Sequence, residues 1–361
     1  MSGAALTEGD VDELADGCAI LGSGGGGESH TFRWVLREML AARGPVRVLD
    51  PAQLAPAARV VNVGFVGAPV VMTEKLLSER AISTALEGAA RRLGTLDALM
   101  AAEIGGANGL SAFIAASLLG IPVVDADGMG RAFPMSDQIS YSIYGKSASP
   151  TIAATEHGEV VFVEGGDNRR IEQIVRAVST ANGSMCFTVD YPLTGDEVRT
   201  CAIPGSVSRA RRIGAALRAA REAHRDPAEA LTALLRAEDI EARVLFEGKV
   251  VDCRHETRGG WGLGVVTVSG VGGGRLEIAF QNEFLLAQLD GRMLATTPDI
   301  ISIVDADTLE NIGSDRVRYG QRVRILGIES PRLMATPEAL AIVGPRAFGF
   351  DVDYAPLRRP A

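Results

Sequence analysis

Apolar residues follow two rhythms along this chain. Val11, Leu14, Ala15, Cys18 and Ala19 recur at helical spacing, and Thr7 with Asp10 before them resembles a capping box with Asp in place of Glu. That helix should stop near Gly22. After "GSGGGGESH" a second helical pattern, "TFRWVLREMLAARG", ends at Gly44. "VRVLD" and "RVVNVGFVG" are Val-rich runs bounded by Gly or Pro and read as strands. Residues 73–93 read as a helix with Thr73 as N-cap. "DALMAAEIGG" reads as strand into loop, "NGLSAFIAASLLG" as helix and "IPVVDADG" as strand into loop. This alternation predicts an α/β first part with a largely parallel sheet and flanking helices.

From about residue 140 the pattern loosens. "GEVVFVEGG" and "GSMCFTVDYPL" read as strands around a helix at 169–181, and "SRARRIGAALRAAREA" and "DPAEALTALLRAE" as two more helices. Beyond 240 the rhythm changes to short strands: "RVLFEGKVVDC", "GLGVVTVSG", "RLEIAFQNEFLLAQL", "DIISIVDADT" and "QRVRILGI". We therefore expect an α/β domain over 1–167 and a β-rich domain with a helical insertion over 168–361.

The 361 residues suit two domains, and 47% apolar against 22% charged content suits globular folding. A net charge of -9 and 5% aromatics argue against nucleic acid as a partner. The scattered cysteines at 18, 186, 201 and 253 form no CxxC pair, so reduced thiols in a cytoplasmic protein are expected. The acidic N-terminus lacks the basic start of a signal peptide, and the longest apolar stretch is too short for a membrane span. The β-rich half is a candidate surface for a homo-oligomer.

The chemistry concentrates in three loops. In "LGSGGGGESH", Gly24, Gly25, Gly26 and Gly27 precede a helix, where backbone N–H groups can cradle an anion; Ser23, Glu28, Ser29 and His30 can add side chains. A helix, not a strand, comes before these glycines and no Lys-Ser or Lys-Thr follows, which argues against a Rossmann or Walker loop. "AAEIGGANG" supplies Glu103 and Asn108, and "VVDADGMGR" supplies Asp125, Asp127 and Arg131. Both lie where parallel strands should end, the ligand side of an open α/β sheet. Glu103, Asp125 and Asp127 are candidates for a general base, Asp125 and Asp127 also for a divalent metal, and Arg131 for a two-pronged grip on a substrate carboxylate. The structural alternative is turn chemistry, with Arg131 paired to Asp127.

Asn282 and Glu283 in "FQNEF" are out of place beside an apolar strand and are candidate substrate contacts. Cys253 and His255 share a strand face without a second pair to complete a metal site, and His157 and His224 read as turn and surface residues. No serine-nucleophile elbow or H-E-x-x-H motif is present.

"GCAILGSGGGGES", "AAEIGGANGL", "VVDADGMGRAFP" and the tail from "FQNEFLLAQLDGRMLATTPDIISIVDADT" to "GPRAFGFD" resemble the S-methyl thiohydantoin desulfurase family, whose members are associated with hydantoinase/oxoprolinase proteins. The resemblance runs from about residue 10 to 354. It implies an N-terminal α/β domain, a C-terminal β-rich domain, and hydrolytic loss of methanethiol from an S-methylated thiohydantoin ring. Glu103, Asp125 or Asp127 would then serve as base or metal ligand, Gly24 to Gly27 would stabilise negative charge, and Arg131 or Asn108 would hold the ring carbonyl or a side-chain carboxylate. Relatives often carry an acidic-apolar pair after "GRAFP"; this chain has Met135-Ser136, which points to a changed pocket. The expected function is a hydrolase of small cyclic amides. The alternatives are a non-catalytic accessory subunit of a hydantoinase-like enzyme and a nucleotide-dependent enzyme.

Overall fold

The structure is a computed structural model that describes residues 4–67, 71, 75–258 and 261–358. Its first sheet contains β1 (Ala5–Leu6), β2 (Val46–Leu49), β3 (Arg59–Gly67), β4 (Ala98–Ala101), β5 (Val123–Asp127), β6 (Thr151–Ala154), β7 (Val160–Val163), β8 (Met185–Thr194) and β9 (Ile203–Pro204). The spatial order is β1-β2-β5-β4-β3-β8-β6-β7, with β9 paired to β5. The centre, β2-β5-β4-β3, is parallel, because helices carry the chain back between these strands. Antiparallel strands extend both sides.

Helices α1 (Val11–Leu21), α2 (Ser29–Arg43), α3 (Glu79–Leu93) and α4 (Asn108–Leu119) bury one face of this sheet in a core of Leu, Ile, Val and Ala. The Asp10 carboxylate accepts from the Thr7 N–H at 2.8 Å and its hydroxyl at 2.6 Å, fixing the approach to α1 as the sequence suggests. The helix expected over 73–93 begins at Glu79, where the Ser78 hydroxyl caps the Ala81 N–H; Thr73 lies outside the described residues. After the short helix α5 (Ser140–Ile143), helices α6 (Asn168–Ala181) and α7 (Gly195–Cys201) cover the other face. Helices α8 (Ser206–Glu222) and α9 (Pro227–Ala237) return to the α1 side.

Strand β8 and helices α6 and α8, which the sequence groups with the second half, thus build onto the first sheet. The second sheet starts at residue 242. It contains β10 (Ala242–Arg258), β11 (Trp261–Gly270), β12 (Arg275–Gln281), β13 (Glu283–Leu289), β14 (Arg292–Thr296), β15 (Ile300–Asp305) and β16 (Arg322–Ile328). All pairings are antiparallel, in the order β14-β13-β12-β11-β10-β16-β15, around their own apolar core. The run expected as one strand over 275–289 breaks at Asn282, whose φ of 58° no regular strand accommodates.

The second sheet docks against the glycine loop. Phe284 N–H donates to the Ser23 carbonyl at 2.7 Å, Ser314 N–H to the Gly24 carbonyl at 2.9 Å, and the Ser302 hydroxyl to the Ile20 carbonyl at 2.6 Å. Short α10 (Pro337–Val343) closes the far side. Among the described residues, no helix is long and apolar enough to cross a membrane.

Candidate active site

The two loops leaving β4 and β5 meet beside the glycine loop, and Asp127 ties them together. Its Oδ2 accepts from the N–H groups of Ile104 at 2.9 Å, Met129 at 3.1 Å and Gly130 at 2.7 Å. Burial pushes its carboxyl up to about 6, against these N–H donors. Its neighbour in sequence does something else. Asp125 accepts from the Ser208 N–H at 3.0 Å and from the Ser208 hydroxyl, so it caps α8. The two aspartates are therefore occupied by different structures, one by loop amides and one by a helix start. That arrangement does not suit the divalent metal expected of them, and among the described residues no group of three or more His, Cys, Asp or Glu is placed to hold a metal ion.

Arg131, expected to grip a substrate carboxylate, is fully buried and spends its donors on carbonyl groups: Nε on Ala132 at 2.9 Å, Nη1 on Asp299 at 2.8 Å and Nη2 on Phe284 at 2.9 Å. Its guanidinium lies over the Phe133 ring, 4.8 Å from the centroid. Burial lowers it to about 10, so it stays charged at neutral pH, facing Glu283, Asp299 and Glu103. It is the cation that lets carboxyl groups be buried here.

Glu103 and Glu283 face one cleft from different sheets. Glu103 accepts from Asn108 Nδ2 at 2.8 Å and from the Phe133 N–H at 3.2 Å. Asn108 is held in turn by both backbone groups of Phe65, at 2.8 and 3.2 Å. Burial raises Glu103 to about 7. Glu283 is 3% exposed, and its Oε2 has no hydrogen-bond partner among the described residues. Burial first and repulsion from Glu103 second push it well above the ordinary carboxylate range. The glycine loop packs directly on it: a methyl group on Gly25 would lie 2.0 Å from Glu283 Oε1. At Gly26, φ is 75° and a side chain would meet the Gly105 carbonyl at 2.3 Å. These glycines permit close packing between the sheets, while Gly26 and Gly27 also line the cleft.

The opposite wall holds residues the sequence reading missed. Asn62 on β3 and Asp190 on β8 are cross-strand partners, joined by Asn62 Nδ2 to Asp190 Oδ1 at 2.7 Å. Gly64 and Thr188, the register pair on the same face, continue this wall. Burial raises Asp190 to about 7. Phe133 and Met129 add apolar surface, and Arg176 closes one side, stacked 4.0 Å above the Trp261 ring and bonded to Glu172 at 2.6 Å. A polar residue inside each of the apolar runs "RVVNVGFVG" and "MCFTVDYPL" was the available signal.

Asn282 lines the cleft, but its side-chain oxygen accepts from the Gly262 N–H at 2.9 Å, which stabilises the break between β12 and β13. His30 and His255 lie across the glycine loop in a separate groove of about 980 Å³, among paired Arg and acidic side chains. His157 is exposed beside Glu156, His224 ends α8, and Cys18, Cys186 and Cys201 are buried.

Two family models cover the chain: "S-Me-THD-like, N-terminal domain" over residues 9–165 and "S-Me-THD-like, C-terminal domain" over residues 166–357. The chain belongs to the S-Me-THD-like family. This agrees with the resemblance to S-methyl thiohydantoin desulfurases carried by its motifs. The family models meet between residues 165 and 166, whereas the second sheet begins only at residue 242. The crystal structure of a protein from Chromobacterium violaceum is similar over 98% of this chain and 100% of its own, with 25% identity and a TM-score of 0.82. A comparison with curated proteins gave no match.

Proposed function

We propose that this S-Me-THD-like protein is a hydrolase that replaces the methylthio group of a small thiohydantoin-type ring with oxygen from water. The observation that carries this reading is the pair Glu103 and Glu283. Two carboxyl groups from different sheets share one buried cleft, one raised to about 7 and the other pushed well above the ordinary carboxylate range by burial and by its neighbour. Pairs of carboxyl groups separated in this way serve as base and acid at one pH.

In the proposed reaction water attacks the ring carbon that bears sulfur. Ionised Glu103, steadied by Asn108, takes a proton from the water. The C–S bond breaks, and protonated Glu283 gives its proton to the leaving thiolate. The second proton of the water passes from the new hydroxyl to the ring nitrogen, so the products are the ring carbonyl compound with its N–H and methanethiol, and the proton now on Glu103 restores Glu283 by way of the cleft or solvent. Arg131 acts as a positioning residue: its charge limits the repulsion between the two carboxyl groups. The Asp127 clamp holds the loop that carries Glu103.

The test is turnover of an S-methylated thiohydantoin in ¹⁸O-labelled water. The expected result is methanethiol release with one ¹⁸O in the ring carbonyl of the product. Absence of methanethiol, or release without label, would contradict the proposal.

A further inference from the structure

Resting on the cyclic-amide reading above, we infer that Asn62 and Asp190 read the adjoining N–H and C=O of the substrate ring. Asn62 Oδ1 accepts from the ring N–H, and the Asp190 carboxyl donates to the ring C=O.

The argument begins with an unmet acceptor. Asn62 is 2% exposed and lines the cleft, yet its Oδ1 has no hydrogen-bond partner among the described residues. A buried acceptor left in this state is destabilising, and a ligand N–H would remove that cost. Its amide cannot simply turn over, because Nδ2 is committed to Asp190 Oδ1 at 2.7 Å. Asp190, 6% exposed, keeps Oδ2 for a second bond. Burial raises this carboxyl to about 7, which makes the O–H form available near neutrality. The other titratable groups around it are Tyr141 and Tyr191, with Glu103, Glu283 and Arg176 elsewhere on the cleft.

The shape of the wall supports the same ligand. Asn62 and Gly64 alternate onto one face of β3, opposite Asp190 and Thr188 on β8. Gly64 has no side chain, and the Thr188 hydroxyl donates to the Gly64 carbonyl at 3.2 Å. The result is a low platform beside an acceptor–donor pair. An open-chain secondary amide is trans, so its N–H and C=O point in opposite directions. A five-membered ring forces the cis arrangement and sets both groups on one edge. The pair therefore selects cyclic amides with an unsubstituted ring nitrogen over open-chain ones.

The experiment is calorimetric binding of hydantoin, its two N-methyl derivatives and the neutral open-chain secondary amide N-acetylglycine N-methylamide to the full chain. Wild type is compared with Asn62→Ala and Asp190→Asn, each first checked for a wild-type unfolding transition. In wild type, one N-methyl derivative and the open-chain compound should bind at least about tenfold more weakly than hydantoin, the scale of one unpaired buried group. In Asn62→Ala the N-methyl penalty should largely disappear, and Asp190→Asn should retain it. An unchanged N-methyl penalty in Asn62→Ala would overturn the role of the pair while leaving the ring reading intact. Failure of every ring to bind wild type would overturn the cyclic-amide reading and the pair with it. The wild-type comparison of ring and open chain needs no variant: equal affinity would also overturn the inference.

Discussion

At the scale of single residues, the walls of this cleft carry buried polar atoms without a hydrogen-bond partner among the described residues. Most buried polar groups in a folded protein find partners, and those that do not point to a missing one. Glu283 Oε2 and Asn62 Oδ1 are two such atoms on the walls of one cavity. The proposed division of labour has a pH consequence. Glu103 must be ionised to act as base, so kcat/KM should rise with pH through about 7, the value to which burial raises it. Glu283 must be protonated, so activity should fall again at higher pH, as its own raised value is passed. A pH–rate profile checks this; a rising limb near the ordinary carboxylate value of about 4 would remove Glu103 as the base. The sequence exposed Glu103, Asn108, Asp127 and Glu283, because polar residues stand out at strand ends and beside turns. It hid Asn62 and Asp190, which lie 128 residues apart and meet only where their strands pair in the folded sheet. Nothing in "VVDADGMGR" says that Asp125 caps a helix starting at Ser206, far along the chain.

At the scale of elements, the strand–helix alternation made the parallel centre of the first sheet legible, and the short strands beyond 240 made the second sheet legible. The assignment of β8 to the first sheet was not legible, since an antiparallel strand can join whichever edge the tertiary structure offers. The glycine loop reads in the sequence as an anion cradle; in the fold its glycines fit between elements that approach closely. Gly25→Ala should therefore displace the Glu283 carboxyl and lower kcat by at least about tenfold, since small misplacements of reacting groups are costly. Gly272→Ala, with open space around its added methyl, serves as the control and should leave turnover unchanged. Steady-state rates of the two variants provide the check, and equal rates would separate the loop from Glu283.

At the scale of the whole molecule, the cleft is shared between two sheets, and Arg131 joins them. One side chain of the first sheet's loops bonds to the carbonyls of Phe284 and Asp299 at the second sheet. Replacing it by Met would leave the Asp299 carbonyl without this donor, the Phe284 carbonyl with only the Ser23 hydroxyl, and the carboxyl groups of Glu103 and Glu283 without their cation. The expected destabilisation is about 3–5 kcal/mol, measured by urea unfolding. A change under about 0.5 kcal/mol would show that the sheets hold together without it. Residues from the glycine loop, the first sheet and the start of β13 line one cleft, so both family domains contribute to it.

The most direct test of the account is methanethiol release from an S-methylated thiohydantoin by wild type, Glu103→Gln and Glu283→Gln at neutral pH. Both substitutions keep the side-chain shape and remove the titrating carboxyl. The account predicts measurable release by wild type and a loss in kcat of about 100-fold or more in each variant, with wild-type folding retained. Wild-type rates in both variants would contradict the assignment of base and acid to this pair.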